Sequence, residues 1–448
     1  MCSAKYLSPP YWNIHIGIYR AALDRCYSRH VYLGIPTESK RGSHRRSVSA
    51  PGFFSLFFFS LLFSLRYLYM SYKCFILSLI FLFILALAAD IFYCSDNLLI
   101  ITDDGCILAG LSVIFFKIMN FQLYLDDLEK LLDTVHRDTK KLHEEKSEDA
   151  KHLKIWKQYF MIEKFFVYSF GTLGCFLVIT LLFFTPTEIG ALPIRSRYPF
   201  EVTDPPAHQI MFIYQGTVIS ISMAAIVIID NTMLTLCNHA FCHFRILRDE
   251  FRNCRSKSAA DREKSIGEKG GKKLFKRRET YDETEVKVDD NPKPFRTNFF
   301  KCIRHHQEVI EFVENIDNFS SPLMFVQLMS SNVMICLTGF QAILVVGQNS
   351  GFMKFAVYLS AAFLQLLSWC WFGSELIHQS TSVADAIWST SWELEKITPM
   401  KSLITIPLLR AKKPLKLTAG NFYVMSMETF ISVSAAEFEN ASINRRSL

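Results

Sequence analysis

Few residues in this sequence have the types and spacing that chemistry requires. His305 and His306 precede Gln307 and Glu308 in a predicted helix, where imidazoles and a carboxylate could act as metal ligands or as an acid–base pair. Neighbouring helical residues point in different directions, however. The pattern therefore favours a surface or interface role for the two histidines, with the metal or acid–base role as the alternative.

The twelve cysteines show no C-x-x-C pair and no Cys/His spacing typical of zinc. Cys237 and Cys242 are the closest two, and we predict that both are unpaired thiols near a helix end. The sequence also contains no glycine-rich phosphate loop, nucleophile elbow or H-E-x-x-H motif. We predict that the protein is not an enzyme and holds no cofactor or metal.

Long apolar blocks dominate the sequence, and the helices that they form must position its side chains. Half of the 448 residues are hydrophobic, 40 are phenylalanine, and the mean hydropathy is +0.19. Several blocks approach the roughly 20 residues that an α-helix needs to cross a bilayer. The basic residues behind the net charge of +7 lie between the blocks, where they set topology rather than bind nucleic acid. The fold class predicted is an all-α membrane protein with seven transmembrane helices.

The predicted crossings follow the apolar blocks. Six clear spans lie at about 74–94, 98–119, 161–184, 210–236, 320–346 and 355–376. The last block, about 402–434, is interrupted at Pro407, Pro414 and Gly420, so we predict one broken helix there. The run at 53–65 is too short to span alone, and extending it would place Arg66 near mid-membrane at a cost of about 3 kcal/mol.

Charge asymmetry predicts the orientation. Basic residues cluster in segments that share a side with the N-terminus, among them KGGKKLFKRR at 269–278, whereas the opposite loops carry only Arg195, Arg197 and Lys354. The positive-inside rule then places the N-terminus in the cytoplasm and, after seven crossings, the C-terminus outside. A G-protein-coupled receptor has the opposite orientation, and the NPxxY and DRY signatures are missing here. That class is the less favoured alternative.

The C-terminal third carries a resemblance to a known family. SELIHQSTSVADAIWSTSWE at 374–393, followed by MKSLITIPLLRAKKPLKLTAGNFYVMSMETF at 400–430, resembles the C-terminal signature of insect odorant receptors. Three upstream stretches support this resemblance. Residues 191–215 are similar to the family's second outer loop, 242–251 to the end of its fourth helix, and 303–327 to the helix that leads into its fifth span. The sequence resembles an odorant-binding tuning subunit rather than the co-receptor.

This resemblance divides the chain. Residues 73–253 would hold helices one to four, and 297–433 would hold helices five to seven with the anchor and the pore helix. Three segments do not match: 1–72, predicted to be a cytoplasmic N-terminal segment; 254–296, a charged insertion; and 434–448, a divergent polar tail. The insertion has too few large apolar residues to bury a core, so we predict that it is disordered.

The resemblance also implies a mechanism. Receptors of this family are odorant-gated cation channels, in which a variable odorant-binding subunit forms a heterotetramer with a shared co-receptor. The last helix of each subunit lines the pore, and small volatile odorants enter the outer half of the helical bundle. The expected location is the plasma membrane of a sensory neuron dendrite, with the lipid bilayer as a further partner and no nucleic acid.

The family's pore and anchor positions fall on the broken last helix. The matching candidates are Lys413, Pro414, Gly420, Phe422, Ser426, Glu428, Thr429 and Phe430. A stripe bearing Ser426 and Thr429 suits a pore wall, where polar groups meet water. The alternative is a packing helix whose hydroxyls bond back to their own backbone.

An odorant pocket should be aromatic-lined with few polar groups. The predicted outer halves of helices three, four and six supply the candidates Phe176, Phe183, Met211, Tyr214, Gln215 and Tyr358. Ordinary packing within the bundle is the alternative for each of them.

The end of the chain departs from the family. After FYVMSMETFISVSAA at 422–436, the sequence turns to charged and polar residues. Only about fifteen residues, or roughly 22 Å of helix, then suit the bilayer. We expect an incomplete pore wall, so that the chain would conduct poorly without co-receptor subunits to complete the ring. A nonfunctional variant is the remaining alternative.

Overall fold

The computed structural model describes residues 53–94, 98–144, 150–184, 192–202, 204–254, 293–344, 349–390, 392 and 397–435. The predictions for residues 1–52, for most of the charged insertion and for residues 436–448 lie outside the described residues. The chain divides into two compact units, 1–78 and 79–448, and the first unit is described only over 53–78.

The described residues are almost all helical. The helices are α1 Phe53–Tyr93, α2 Leu98–Leu123, α3 Leu125–Glu144, α4 Ala150–Ile179, α5 Ala207–Arg252, α6 Lys293–Leu344, α7 Asn349–Trp388 and α8 Ile397–Lys412. A π-helical turn, Thr180–Phe184, ends α4. Two short antiparallel strands, β1 Thr418–Ala419 and β2 Tyr423–Val424, follow α8 and lead into a last helix, α9, over 427–435.

Six helical stretches among the described residues are long and apolar enough to cross a membrane. They are Ser71–Tyr93, Ile100–Leu123, His152–Phe183, Ala207–Arg252, Phe295–Gln341 and Phe355–Trp388. These confirm the six predicted spans. The seventh is a broken element, in which α8 and α9 are separated by the hairpin of β1 and β2. The apolar run at 53–65 is not a separate helix, because it forms the beginning of α1.

Three helices continue well past the membrane. The 46 residues of α5 reach about 69 Å at 1.5 Å per residue, against a hydrocarbon core of about 30 Å. α6 and α7 are similarly long, with 52 and 40 residues. The sequence predicted the apolar part of each helix but not these extensions.

The extensions and the amphipathic helix α3 continue the apolar core beyond the membrane-spanning parts. Leu128 and Leu131 of α3 join Phe244 and Phe251 of α5 and Phe299 of α6 in one continuous apolar cluster. α8 also packs on the end of α7. We call this region the anchor bundle: α3, residues 237–254 of α5, 293–316 of α6, 376–388 of α7, and α8.

Candidate functional site

A tight hairpin connects the anchor bundle to α9. Leu415, Leu417 and Ala419 are buried whereas Lys416 is exposed, which is the alternation of an extended segment with one face covered. The Phe422 N–H donates to the Ala419 carbonyl at 3.2 Å. The two central residues of this turn, Gly and Asn, both have a φ of 62°. A type I′ turn requires such values, and these are two of the residue types that adopt them most readily.

α6 holds one side of the hairpin. The Thr418 amide and hydroxyl both donate to the Asp317 carboxylate, at 2.6 and 3.0 Å. The Gly420 N–H donates to the Ser321 carbonyl at 3.0 Å. A Cβ at Gly420 would lie 2.9 Å from the ring of Phe325, so a glycine is needed for space as well as for its φ.

α7 holds the other side. Ser380 accepts a hydrogen bond from the Leu415 N–H at 3.2 Å, and Ser374 accepts one from the Met427 N–H at 2.8 Å. A Cβ at Gly373 would overlap the carbonyl oxygen of Met425, so only a glycine permits this close approach. The hairpin is therefore fixed on two sides, and the position where α9 begins is fixed with it.

The first turn of α9 satisfies its own hydroxyl groups. Ser426 caps the helix, because its Oγ accepts from the Thr429 N–H at 3.3 Å. The Thr429 hydroxyl donates to the Val424 carbonyl at 2.6 Å. Both side chains are half-buried. These bonds are the kind that the packing alternative expected, and a role for Ser426 and Thr429 in a pore wall stays a prediction.

The exposed face of α9 carries different residues. Glu428, Ile431, Ser432 and Ala435 are exposed and follow the spacing of one helical face. Phe430 points the other way and lies 6.3 Å, ring to ring, from Phe363 of α7. The other predicted pore and anchor positions are Lys413 and Phe422, which are exposed, and Pro414, which is half-buried.

The odorant-pocket candidates fall into separate environments. Met211 and Tyr358 are buried, whereas Phe176 and Phe183 are exposed on the surface of the described chain. The Tyr214 hydroxyl donates to the Leu79 carbonyl at 2.8 Å. The structure does not gather the six candidates around one cavity, and their role in binding remains a prediction.

Gln215 has a clear structural role. Its side-chain oxygen accepts from the Ile194 N–H at 3.0 Å, and its amide donates to the Ile194 carbonyl at 2.9 Å. It also contacts the hydroxyl of Tyr198, whose pKa is raised by burial against the opposing effect of this hydrogen bond. The fully buried Gln215 thus fastens the loop 192–200 to α5.

The same loop covers the end of α1. Arg195 pairs with Asp90 at 3.0 Å, and the Arg197 guanidinium lies 4.1 Å above the ring of Tyr93. The Arg197 N–H donates to the Ala86 carbonyl at 3.3 Å. The loop 192–200 therefore packs over the end of α1.

A buried polar chain links four helices within the membrane-spanning region. Lys117 of α2 pairs with Asp230 of α5 at 2.6 Å, and both side chains are almost completely buried. The Gln365 amide of α7 donates to the other Asp230 oxygen at 2.6 Å, and the Gln327 amide of α6 donates to Gln365 at 3.1 Å. We call this the polar chain. The sequence signal for the polar chain is one charged residue in each of two apolar spans, Lys117 and Asp230.

A groove of about 660 Å³ opens between α4, α5 and α7 beside the anchor bundle. Its lining includes Lys157, Arg245 and Glu375, and it contains none of the six odorant-pocket candidates.

The two histidines singled out from the sequence do not lie on an open surface. His306 is buried, and His305 is half-buried between His243 and Glu250. Of the surface and interface positions that the sequence favoured, His305 takes the interface one, because α6 turns this stretch toward the extension of α5. Cys237 and Cys242 are both buried free thiols.

Long, closely packed helices that end in a broken crossing define a polytopic helical membrane protein, and comparison with known proteins identifies the family. The family model for the 7tm odorant receptor matches residues 97–436. The chain belongs to the odorant receptor family.

Two relatives illustrate the range of similarity. Odorant receptor 13a of Drosophila melanogaster is 30% identical over 146 residues, which are 30% of this chain and 34% of that protein. The chain thus spans about a third of the length of this relative. Odorant receptor 47b of the same organism is 22% identical over 349 residues, which are 76% of each chain.

A solved structure supports the fold. The olfactory receptor OR5 from Machilis hrabei, in complex with eugenol, superposes with a TM-score of 0.65 and 14% sequence identity. The superposition covers 85% of this chain and 90% of that one. At this identity the likeness establishes the seven-helix fold.

Proposed function

We propose that this protein is an odorant-binding subunit of an odorant-gated cation channel, working with a co-receptor. One observation carries the proposal: α9 leaves a face with Glu428 and Ser432 exposed. α9 starts beside Gly373 of α7 and reaches Phe363, so it runs back along the membrane-spanning part of α7. A carboxylate facing lipid there would be costly, and a water-filled pore between subunits removes that cost.

The proposed assembly is a heterotetramer in the plasma membrane, with a cytoplasmic N-terminus and the α9 helices around the central axis. The anchor bundle would hold subunits together, since the basic step at Lys412 and Lys413 is exposed on its surface. A G-protein-coupled receptor is not favoured, because the chain belongs to the odorant receptor family.

The proposed ligand is a small, mostly apolar odorant bound in the outer half of the helices. Support comes from the related OR5 structure, which is a complex with eugenol. Tyr358 and Met211, both buried, are the candidates that suit such a site best. The loop 192–200 would exclude water from it.

Co-expression with an insect odorant co-receptor tests the proposal. Whole-cell currents would be recorded during exposure to an odorant panel, with a non-hydrolysable GDP analogue in the pipette. We expect odorant-evoked cation current that is unaffected by the analogue, since the ligand opens the pore directly. Cells with co-receptor alone are the control. Responses that the analogue abolishes, or that persist without the co-receptor, would contradict the channel assignment.

A further inference from the structure

Three side chains converge where the polar end of α5 meets α3. His239 and His243 stand four residues apart, so both project from one face of α5. Asp138 of α3 faces them, and its Oδ2 lies 3.5 Å from the Nε2 of each histidine. One potential ligand atom from each of the three residues lies within 4.8 Å of the others.

The two distances from Asp138 are compatible with metal ligands. A charge-assisted hydrogen bond would bring a carboxylate oxygen to about 2.8 Å from an imidazole nitrogen. Two ligands that each lie about 2.1 Å from a tetrahedral ion are instead about 3.4 Å apart. Both distances from Asp138 to the histidines have the second value.

A hydrogen-bonded relay connects His243 through His305 to Glu250. Glu250 accepts from His305 Nδ1 at 2.8 Å, so in a neutral imidazole the other nitrogen of His305 is an acceptor. His243 Nδ1 lies 3.0 Å from that nitrogen and is the donor when both imidazoles are neutral. The relay therefore leaves the lone pair of His243 Nε2 facing Asp138.

A cation would suit this lone pair. Among the described residues, His243 Nε2 is buried without a hydrogen-bond partner, although a carboxylate lies 3.5 Å away. A lone pair and a carboxylate repel each other unless a positive charge lies between them. A metal-bound histidine typically donates its other N–H to a second group, and His243 does so through His305 to Glu250.

The surroundings suit a small, partly enclosed site. The ring of Trp156 lies 5.3 Å from His239 and 5.9 Å from His243, and the ring of Phe312 lies 5.2 Å from His239. The side chains of His243 and Asp138 are 18% and 25% exposed, which leaves an entry path for an ion.

We propose that Asp138, His239 and His243 bind a divalent transition-metal ion, with zinc as the best match. Two imidazoles and one carboxylate with a fourth position open form a donor set that zinc accepts in proteins. The ion would tie α3 to α5, and the relay from His243 to His305 would extend the tie to α6. Neither the family assignment nor the proposed channel function requires this site.

Metal content tests the proposal. The full-length chain would be purified in detergent, equilibrated with zinc, passed through a desalting column and analysed by inductively coupled plasma mass spectrometry. We expect about one zinc per chain for the wild type and a loss of most of it in His243→Gln and in Asp138→Asn. His378→Gln, an exposed histidine on α7, is the matched control and should retain the zinc of the wild type.

Cobalt gives a readout that does not depend on the variants folding. Titration of the metal-free wild type with Co²⁺ should produce the visible absorption bands of a tetrahedral complex, and zinc should displace them. A wild type that binds neither ion would overturn the proposal and leave the cluster as a polar contact between Asp138 and the two histidines. Zinc bound equally by His243→Gln and wild type would overturn it as well.

Discussion

At the scale of single residues, we expect the largest electrostatic effect on stability from removing one charge of the polar chain. Lys117 and Asp230 are almost completely buried, so each charge depends on the other. Removing one partner of a buried pair typically costs about 3–5 kcal/mol, since an uncompensated charge remains. We predict that Asp230→Asn strongly lowers the thermal stability of the purified protein, measured by the temperature at which its size-exclusion peak is lost.

The double variant Lys117→Met/Asp230→Leu is the matched control for this prediction. It removes both charges and fills the space with apolar side chains, so it should be more stable than Asp230→Asn alone. A double variant less stable than the single one would show that the pair is not the dominant interaction at this site.

The sequence allowed part of this chain of contacts to be foreseen. A lysine in one apolar span and an aspartate in another must find partners inside a membrane. The rotation and crossing of four helices determine which charges meet. They also determine that Gln365 and Gln327 extend the chain. Hydropathy carries no information about either. The contact between His243 and His305 could not be predicted for the same reason, because 62 residues separate them in the sequence.

At the scale of elements, the hairpin between α8 and α9 depends on one missing side chain in α7. A Cβ at position 373 would overlap the Met425 carbonyl oxygen, and backbone atoms cannot move aside as a flexible side chain does. We predict that Gly373→Ala abolishes odorant-evoked current, because β2 and the start of α9 must shift. Overpacking of this kind typically costs about 1–3 kcal/mol, so surface expression, measured by biotinylation, should be reduced only in part.

Gly339→Ala in α6 is the control for this prediction. A Cβ built there meets no described atom within 4 Å outside the local helix backbone, and alanine favours a helix over glycine by about 0.5–1 kcal/mol. That variant should give currents like those of the wild type. Normal odorant currents from Gly373→Ala would mean that β2 does not approach α7 as closely as the structure indicates.

Elements were easier to predict than contacts, but only where lipid determines the sequence. Apolar spans stand out because about 20 consecutive residues must avoid charge. α3 and the extensions of α5, α6 and α7 carry mixed sequences, whose helical continuity comes from packing in the anchor bundle. The interruption at Gly420 predicted a break in the last helix. That α6 and α7 both hold the turn at this break could not be read from the sequence.

At the scale of the whole molecule, the polar residues that follow α9 would limit the pore wall that we propose for this chain. α9 is described for nine residues, 427–435, or about 13.5 Å of helix, and residues 436–448 lie outside the described residues. We predict that replacing 434–448 by an apolar, family-like ending increases odorant-evoked current in cells that also express the co-receptor, because the longer apolar helix completes the pore wall.

Ion selectivity gives the second measurement for this prediction. Reversal potentials in sodium and calcium solutions should differ between the native tail and the replaced one, since the residues nearest the outer end of the pore differ. Surface expression of the two chains serves as the control for amount. Equal currents and equal selectivity would show that the native tail already forms a complete wall.

The two-sided attachment of the hairpin has a mechanical consequence. Asp317 and Ser321 hold it to α6, while Ser374 and Ser380 hold it to α7. If these two helices slide past each other, the hairpin cannot follow both, so it must tilt. α9 follows the hairpin directly in the chain and would tilt with it. A small shear between two helices would in this way become a larger swing at the far end of a third, without any part of the chain unfolding.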